Sequence, residues 1–393
     1  MKGRRTKFVC VAVLSGAAAV LFATVSGVAA TTPSQIARAG EPLSGGEAET
    51  GASPLPKIDG VTVSDINDRG QVVGGLTKDY DGATRGFVWK QGSVKLLGRG
   101  EFAGASGINE HGQILGTSGD HEHAVLWENG TTRKLGLEFA GMLNEHGQVL
   151  GGRNLVAVPT GGYSPNIALW TNGNLQLLPF ALGTSAAMNN LGQVVGQTAG
   201  GRAAEWQDGK LTDLGPGAPV AINDRGEIVG SLGEDVIVWR NGTRSDIGPG
   251  EGLAALNERG QVIGMHRVGP NELYAFLWSN GTMTDLGSLG GKWSIPTGIS
   301  DRGQVVGYSA DKRGVPHGFV WQNGTMTRLP SPPGYRAART RALGINDHNQ
   351  IIGDNCYADC GIRSGPHSGS RFAVLWTLRG HKIETRLLLD IRR

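Results

Sequence analysis

Short apolar runs alternate with polar turns along most of this chain, and one run–turn–run unit keeps returning. "INDRGQVVGG" at 66–75 comes back as "INEHGQILG", "LNEHGQVLGG", "MNNLGQVVG", "INDRGEIVG", "LNERGQVIG", "ISDRGQVVG" and "INDHNQIIG". The turn residues are Asn67, Asn109, Asn144, Asn189, Asn223, Asn257, Ser300 and Asn346, separated by 42, 35, 45, 34, 34, 43 and 46 positions. A second apolar run follows each turn and ends in tryptophan, at Trp89, Trp127, Trp170, Trp206, Trp239, Trp278, Trp321 and Trp376. Self-similarity at about 40 residues is the mark of a repeat architecture.

Each unit predicts four short strands. A small apolar run enters the N-x-x-G turn, where Asn closes a local bond to the backbone and Gly takes the left-handed conformation. A brief "QVVG"-like strand leaves the turn, a variable linker follows, and the third strand ends at the Trp. An "NG" pair, a strong hairpin signal, then leads into a fourth strand such as "LTDLG" (211–215).

The third strand is apolar on both faces. Phe87, Val125, Ala168, Ala204, Ile237, Phe276, Phe319 and Val374 share a face with their Trp, while Val88, Leu126, Leu169, Val238, Leu277, Val320 and Leu375 face the other way. Side chains alternate along a strand, so such a strand must be covered on both sides. Four-stranded sheets that cover one another predict an all-β chain, a single closed β-propeller of eight four-stranded blades, with seven as the fallback. An open β-solenoid is the competing arrangement and would need capping units. The first and last runs, "KIDGVTVSDI" and "KIETRLLLDI", both read as strands, and the pattern leaves open whether they share one sheet.

Composition adds an address. Residues 1–30 join a basic start, "MKGRRTK", to an apolar stretch and small residues at Val28 and Ala30, the layout of a cleaved secretory signal. An uncleaved segment of this length would instead anchor the chain in a membrane. Residues 31–56 lack aromatics and any apolar period and read as a flexible linker, leaving 57–393 for the repeats. The net charge of +3 owes four of its 37 basic residues to that signal; without them 33 basic face 34 acidic residues, a net −1. No basic excess remains for nucleic acid. Cys356 and Cys360 form an even pair that, in an exported chain, predicts one local disulfide.

"HAVLW" (123–127), "YAFLWSNGTMTDLGSLGGKWS" (274–294) and "HGFVWQNGTMTRL" (317–329) resemble the HAF-type extracellular repeat. The resemblance covers roughly residues 57–391. It implies a secreted β-propeller of bacterial type and brings no agreed activity with it. Only His123 and His317 keep the histidine of that repeat.

Candidate chemistry is sparse. The Asn-Gly-Thr triplets at Asn129, Asn241, Asn280 and Asn323 are formal glycosylation sequons that hairpin turns explain. "GDHEHAV" (119–125) places His121 and His123 on one face of a strand beside Asp120 and Glu122, with no third or fourth ligand apparent, so no metal is assigned. "DYDG" (79–82) lacks the rest of a calcium loop. Glu205 puts a carboxylate where the other repeats carry Val or Leu, expected at a solvated rim. G-x-S-x-G and H-E-x-x-H patterns are absent, so no catalytic residue and no cofactor is assigned. The expectation is a monomeric, exported recognition or surface scaffold that meets an extracellular protein or glycan through His121, His123, Glu205 or the longer loops. The alternative is an exported propeller enzyme, a polysaccharide hydrolase or lyase or a quinone-dependent oxidase.

Overall fold

The computed structural model describes residues 13–14, 60–78, 83–98, 101–157, 163–182, 184–335, 339–355, 372–380 and 382–390. Most of the signal, the whole of the linker, the "DYDG" stretch (79–82) and the Cys356–Cys360 pair lie outside these residues.

The chain is all-β, with a β-propeller-like repeat fold built mostly from four-stranded antiparallel sheets. Each repeat is one up-and-down meander. The first comprises Gly60–Ile66, Val72–Lys78, Ala83–Lys90 and Ser93–Leu96, and the last Thr340–Ile345, Gln350–Asn355, Phe372–Arg379 and Lys382–Asp390. The sixth and seventh meanders join into one nine-stranded sheet through a single parallel bridge, Leu273 to Trp293, and a short strand at Val13–Leu14 pairs at its edge with Gly252 and Leu253. The phase left open by the pattern is now visible. The strand entering each Asn turn is the first of its meander, so the initial and final runs of the chain belong to separate sheets.

Neighbouring sheets pack face to face as the double-sided third strand requires. Val73 and Val88 of the first repeat pack with Phe102, Ile114 and Val125 of the second. Val306 and Val320 of the seventh meet Ile351, Val374 and Trp376 of the eighth. The series returns to its start, because Ile352 and Leu375 of the eighth repeat pack with Val72, Phe87 and Trp89 of the first. Trp376 is fully buried and Trp89 is 3% exposed. Burial of such rings is the main stabilising term, and truncating one to alanine costs about 3–5 kcal/mol. Cations of one repeat also cover the tryptophan of the next, with Lys95 5.0 Å from the centre of Trp127, Arg240 4.8 Å from Trp278 and Arg386 of the last repeat 5.2 Å from Trp89.

The glycine closing each "QVVG" run has a reason of its own. A Cβ on Gly307 would stand 2.1 Å from the Ile295 carbonyl oxygen, one on Gly74 1.9 Å from that of Thr62, and one on Gly353 2.0 Å from that of Arg341. The first strand bulges beside this position, as at Val63/Asp65, Pro296/Gly298 and Ala342/Gly344, and its backbone comes too close for any side chain. Gly307→Ala is therefore expected to destabilise the chain by about 3 kcal/mol or more, read by denaturant unfolding. An unchanged midpoint would contradict the close approach.

Candidate functional site

The Asn turns gather at one rim, where each is tied to the next. Within a turn, the Asn109 side-chain oxygen accepts from the backbone N–H of His111 at 3.1 Å and of Gln113 at 3.0 Å. Its amide donates to Gln113 Oε1 at 2.7 Å and onward to the carbonyl of Asn144 at 3.1 Å. The same onward bond links Asn67 to Asn109, Asn144 to Asn189, Asn189 to Asn223, Asn223 to Asn257, and Asn257 to Ser300. Asn346 donates to the carbonyl of Asn67 at 2.9 Å, from the last repeat to the first. Ser300 has a shorter side chain, and among the described residues its hydroxyl bonds only within its own turn, to Gln304.

A second chain of bonds runs alongside, through the residue after each Asn. The Asp68 N–H donates to Glu110 Oε1 at 2.7 Å and the Glu110 N–H to Glu145 Oε2 at 2.8 Å. It continues through Asn190, Asp224, Glu258 and Asp301 to Asp347, whose N–H donates to Asp68 Oδ1 at 2.9 Å. Seven half-buried carboxylates and one amide thus cap the N–H groups of neighbouring turns. One residue further on, basic side chains stand exposed at Arg69, His111, His146, Arg225, Arg259, Arg302 and His348, with Leu191 the exception. His348 Nδ1 lies 3.4 Å from Asp68 Oδ1, and His111 Nδ1 3.7 Å from Glu145 Oε2.

The cost of gathering acids is visible at Asp301. Burial pushes its carboxyl up from the usual range, with the nearby Asp347 and Asp68 charges adding and the bond from the Glu258 N–H opposing.

The residues singled out by sequence fall in different places. Glu205 is half-buried at the turn end of its strand, where Gln193 Nε2 donates to its carboxylate at 2.8 Å. Asn129, Asn241, Asn280 and Asn323 each open a hairpin turn with φ near +50°, the conformation an Asn-Gly hairpin uses. His121 and His123 do not share a strand face. The third strand of the second repeat begins only at Ala124, and both histidines lie in the preceding bend. The His121 backbone is left-handed, at φ 61°, and its ring turns toward Thr84, with Nε2 3.4 Å from Oγ1. His123 instead joins Asp120 and Glu122, their ligating atoms all within 4.8 Å of one another, and among the described residues this group could hold a metal ion.

His317 has a structural setting. It is 2% exposed, Nε2 lies 3.3 Å from Asp311 Oδ2, and Nδ1 has no partner among the described residues. Burial holds its imidazole below the ordinary value, with Arg328 adding and Asp311 opposing. Asp311 is pushed down to about 2, chiefly by the Val315 N–H. The acid column of the turns went unread in the sequence, although aligning the repeats on Asn displays it directly.

No protein-family profile matches the chain, and no curated protein matches it. Solved structures similar to it include an acylaminoacyl peptidase of Pyrococcus horikoshii, at 14% identity and TM-score 0.47, over 84% of this chain and 53% of that one. A puromycin-hydrolyzing peptidase of Mycobacterium tuberculosis matches at 12% identity and TM-score 0.44, over 84% and 64%. Virginiamycin B lyase from Staphylococcus aureus matches at 12% identity and TM-score 0.36, over 75% and 91%. The chain spans less than two thirds of the length of either peptidase, and at these identities no residue role carries across.

The rim makes a testable statement about Asp301. Its carboxyl protonates more readily in the folded chain than in the unfolded one, so ionisation weakens the fold at neutral pH, and the deficit closes as pH falls through the raised folded value. Asn190 already does the same capping with an amide. Asp301→Asn is expected to gain on the order of 0.5 kcal/mol at neutral pH and nothing in acid, read by urea unfolding at two pH values. A loss at both would show the charge to be needed.

Proposed function

We propose that this chain is an exported, single closed propeller of eight HAF-type blades that acts as a rigid recognition scaffold for an extracellular protein or glycan. The observation that carries the reading is the pair of turn-bond chains: the one through the residue after each Asn passes through every repeat and re-enters the first at Asp68, and the Asn chain, interrupted at Ser300, re-enters it at Asn67. That joint binds the two ends of the repeat array to each other, and a ring so tied has little freedom to deform. The rim carboxylates are engaged in capping neighbouring turns, whereas the basic side chains beside them are exposed. Exposed charged groups set on rigid turns suit contact with a partner, since ordering them costs less on binding.

The secreted address rests on the layout of residues 1–30, and the scaffold role on the rim. Residues 31–393 are expected to bind one class on a glycan and protein array without releasing product. The double substitution Arg259→Ala, Arg302→Ala should weaken that binding about tenfold or more if the partner seats on the rim. Product release from any arrayed substrate would replace this reading with that of an enzyme.

A further inference from the structure

The hairpin joining the second and third strands of the second repeat, Ile114–Ser118 and Ala124–Glu128, gathers ligating groups that the rim does not use. Asp120, Glu122 and His123 bring two carboxylates and an imidazole together, with their donor atoms within 4.8 Å of one another. The hairpin also holds them in place. Asp120 Oδ1 accepts from the Ser118 hydroxyl and, at 3.0 Å, from the Glu122 N–H, while the His123 N–H donates to Ser118 Oγ at 3.0 Å. One oxygen of Asp120 is therefore pinned, and the other, Oδ2, faces a cation, the Lys134 ammonium at 3.6 Å. Lys134 is 43% exposed on a flexible stem and can swing into solvent. His121 stands apart at Thr84.

We propose that Asp120, Glu122 and His123 form a surface site for one first-row divalent transition metal, with zinc the natural occupant, completed by water. The donor chemistry selects the class. An imidazole nitrogen beside carboxylate oxygens suits zinc and its neighbours, whereas calcium and magnesium prefer all-oxygen shells. The Ser118 bonds supply the outer support that fixes ligand orientation at metal sites. Binding displaces Lys134 from Asp120. The remaining coordination positions open to solvent, where a side chain of a bound partner can enter. Calorimetric titration of the full chain with zinc chloride, and separately with calcium chloride, tests this. One equivalent of zinc should bind. His123→Ala and Asp120→Asn should each weaken that binding about tenfold or more, whereas His121→Ala should leave it unchanged. Lys134→Ala should tighten it, because the competing ammonium is gone, an outcome that simple damage to the loop would not produce. Thermal unfolding without metal checks that every variant is folded. Zinc binding unaffected by His123→Ala, equal binding of calcium, or no binding at all would overturn the site.

Discussion

The Asn side chain at the start of every turn but that of Ser300 carries the arrangement. Its oxygen closes the turn and its amide crosses to the carbonyl of the next turn, so one residue sets local geometry and joins two repeats. Both roles are performed in a buried place, Asn67, Asn223 and Asn257 being fully enclosed. An amide buried there without partners would cost about 1–3 kcal/mol; with them it orients the sheets. A hydrophobic face alone would let two sheets slide, because burial is non-directional.

The other regularities follow from holding sheets this close. Glycine sits within the second strand because the bulged first strand passes where a Cβ would stand. The acids after the Asn cap N–H groups of neighbouring turns, and Asp301 shows the electrostatic strain of collecting them. Away from the turns the repeats vary freely. The joins between second and third strands range from the two-residue turn Gly233–Glu234 to the cysteine-bearing segment of the last repeat. It is in one of these joins that Asp120, Glu122 and His123 come together.

Much of this was legible in the chain because repetition amplifies weak signals. One four-residue strand such as "AVLW" says little, but eight of them ending in Trp show two apolar faces, and the packing of Val88 on one side and Phe87 on the other follows. The order of strands within a sheet was not legible, since a meander reads the same from any starting strand. The bend at His121 was hidden for another reason. Strict alternation would put His121 and His123 on one face, and a left-handed residue between strands destroys that alternation. The rim acids were open to reading, but a charge beside a turn is usually solvated, and only the spatial neighbour shows what it caps. Glu205 illustrates the reverse case, a residue conspicuous in sequence whose carboxylate simply accepts a bond from Gln193.

The repeats depend on one another, and removing one tests that dependence most directly. A chain ending at residue 339 loses the last repeat, exposing Val306 and Val320 on one side and Val72, Phe87 and Trp89 on the other. If every sheet needs both neighbours, urea should produce no cooperative unfolding transition in the shortened chain, while the full chain unfolds sharply. A shortened chain that still unfolds cooperatively, with its denaturant slope reduced only in proportion to the residues removed, would mean that the repeats stack in a line and stand without the joint between last and first.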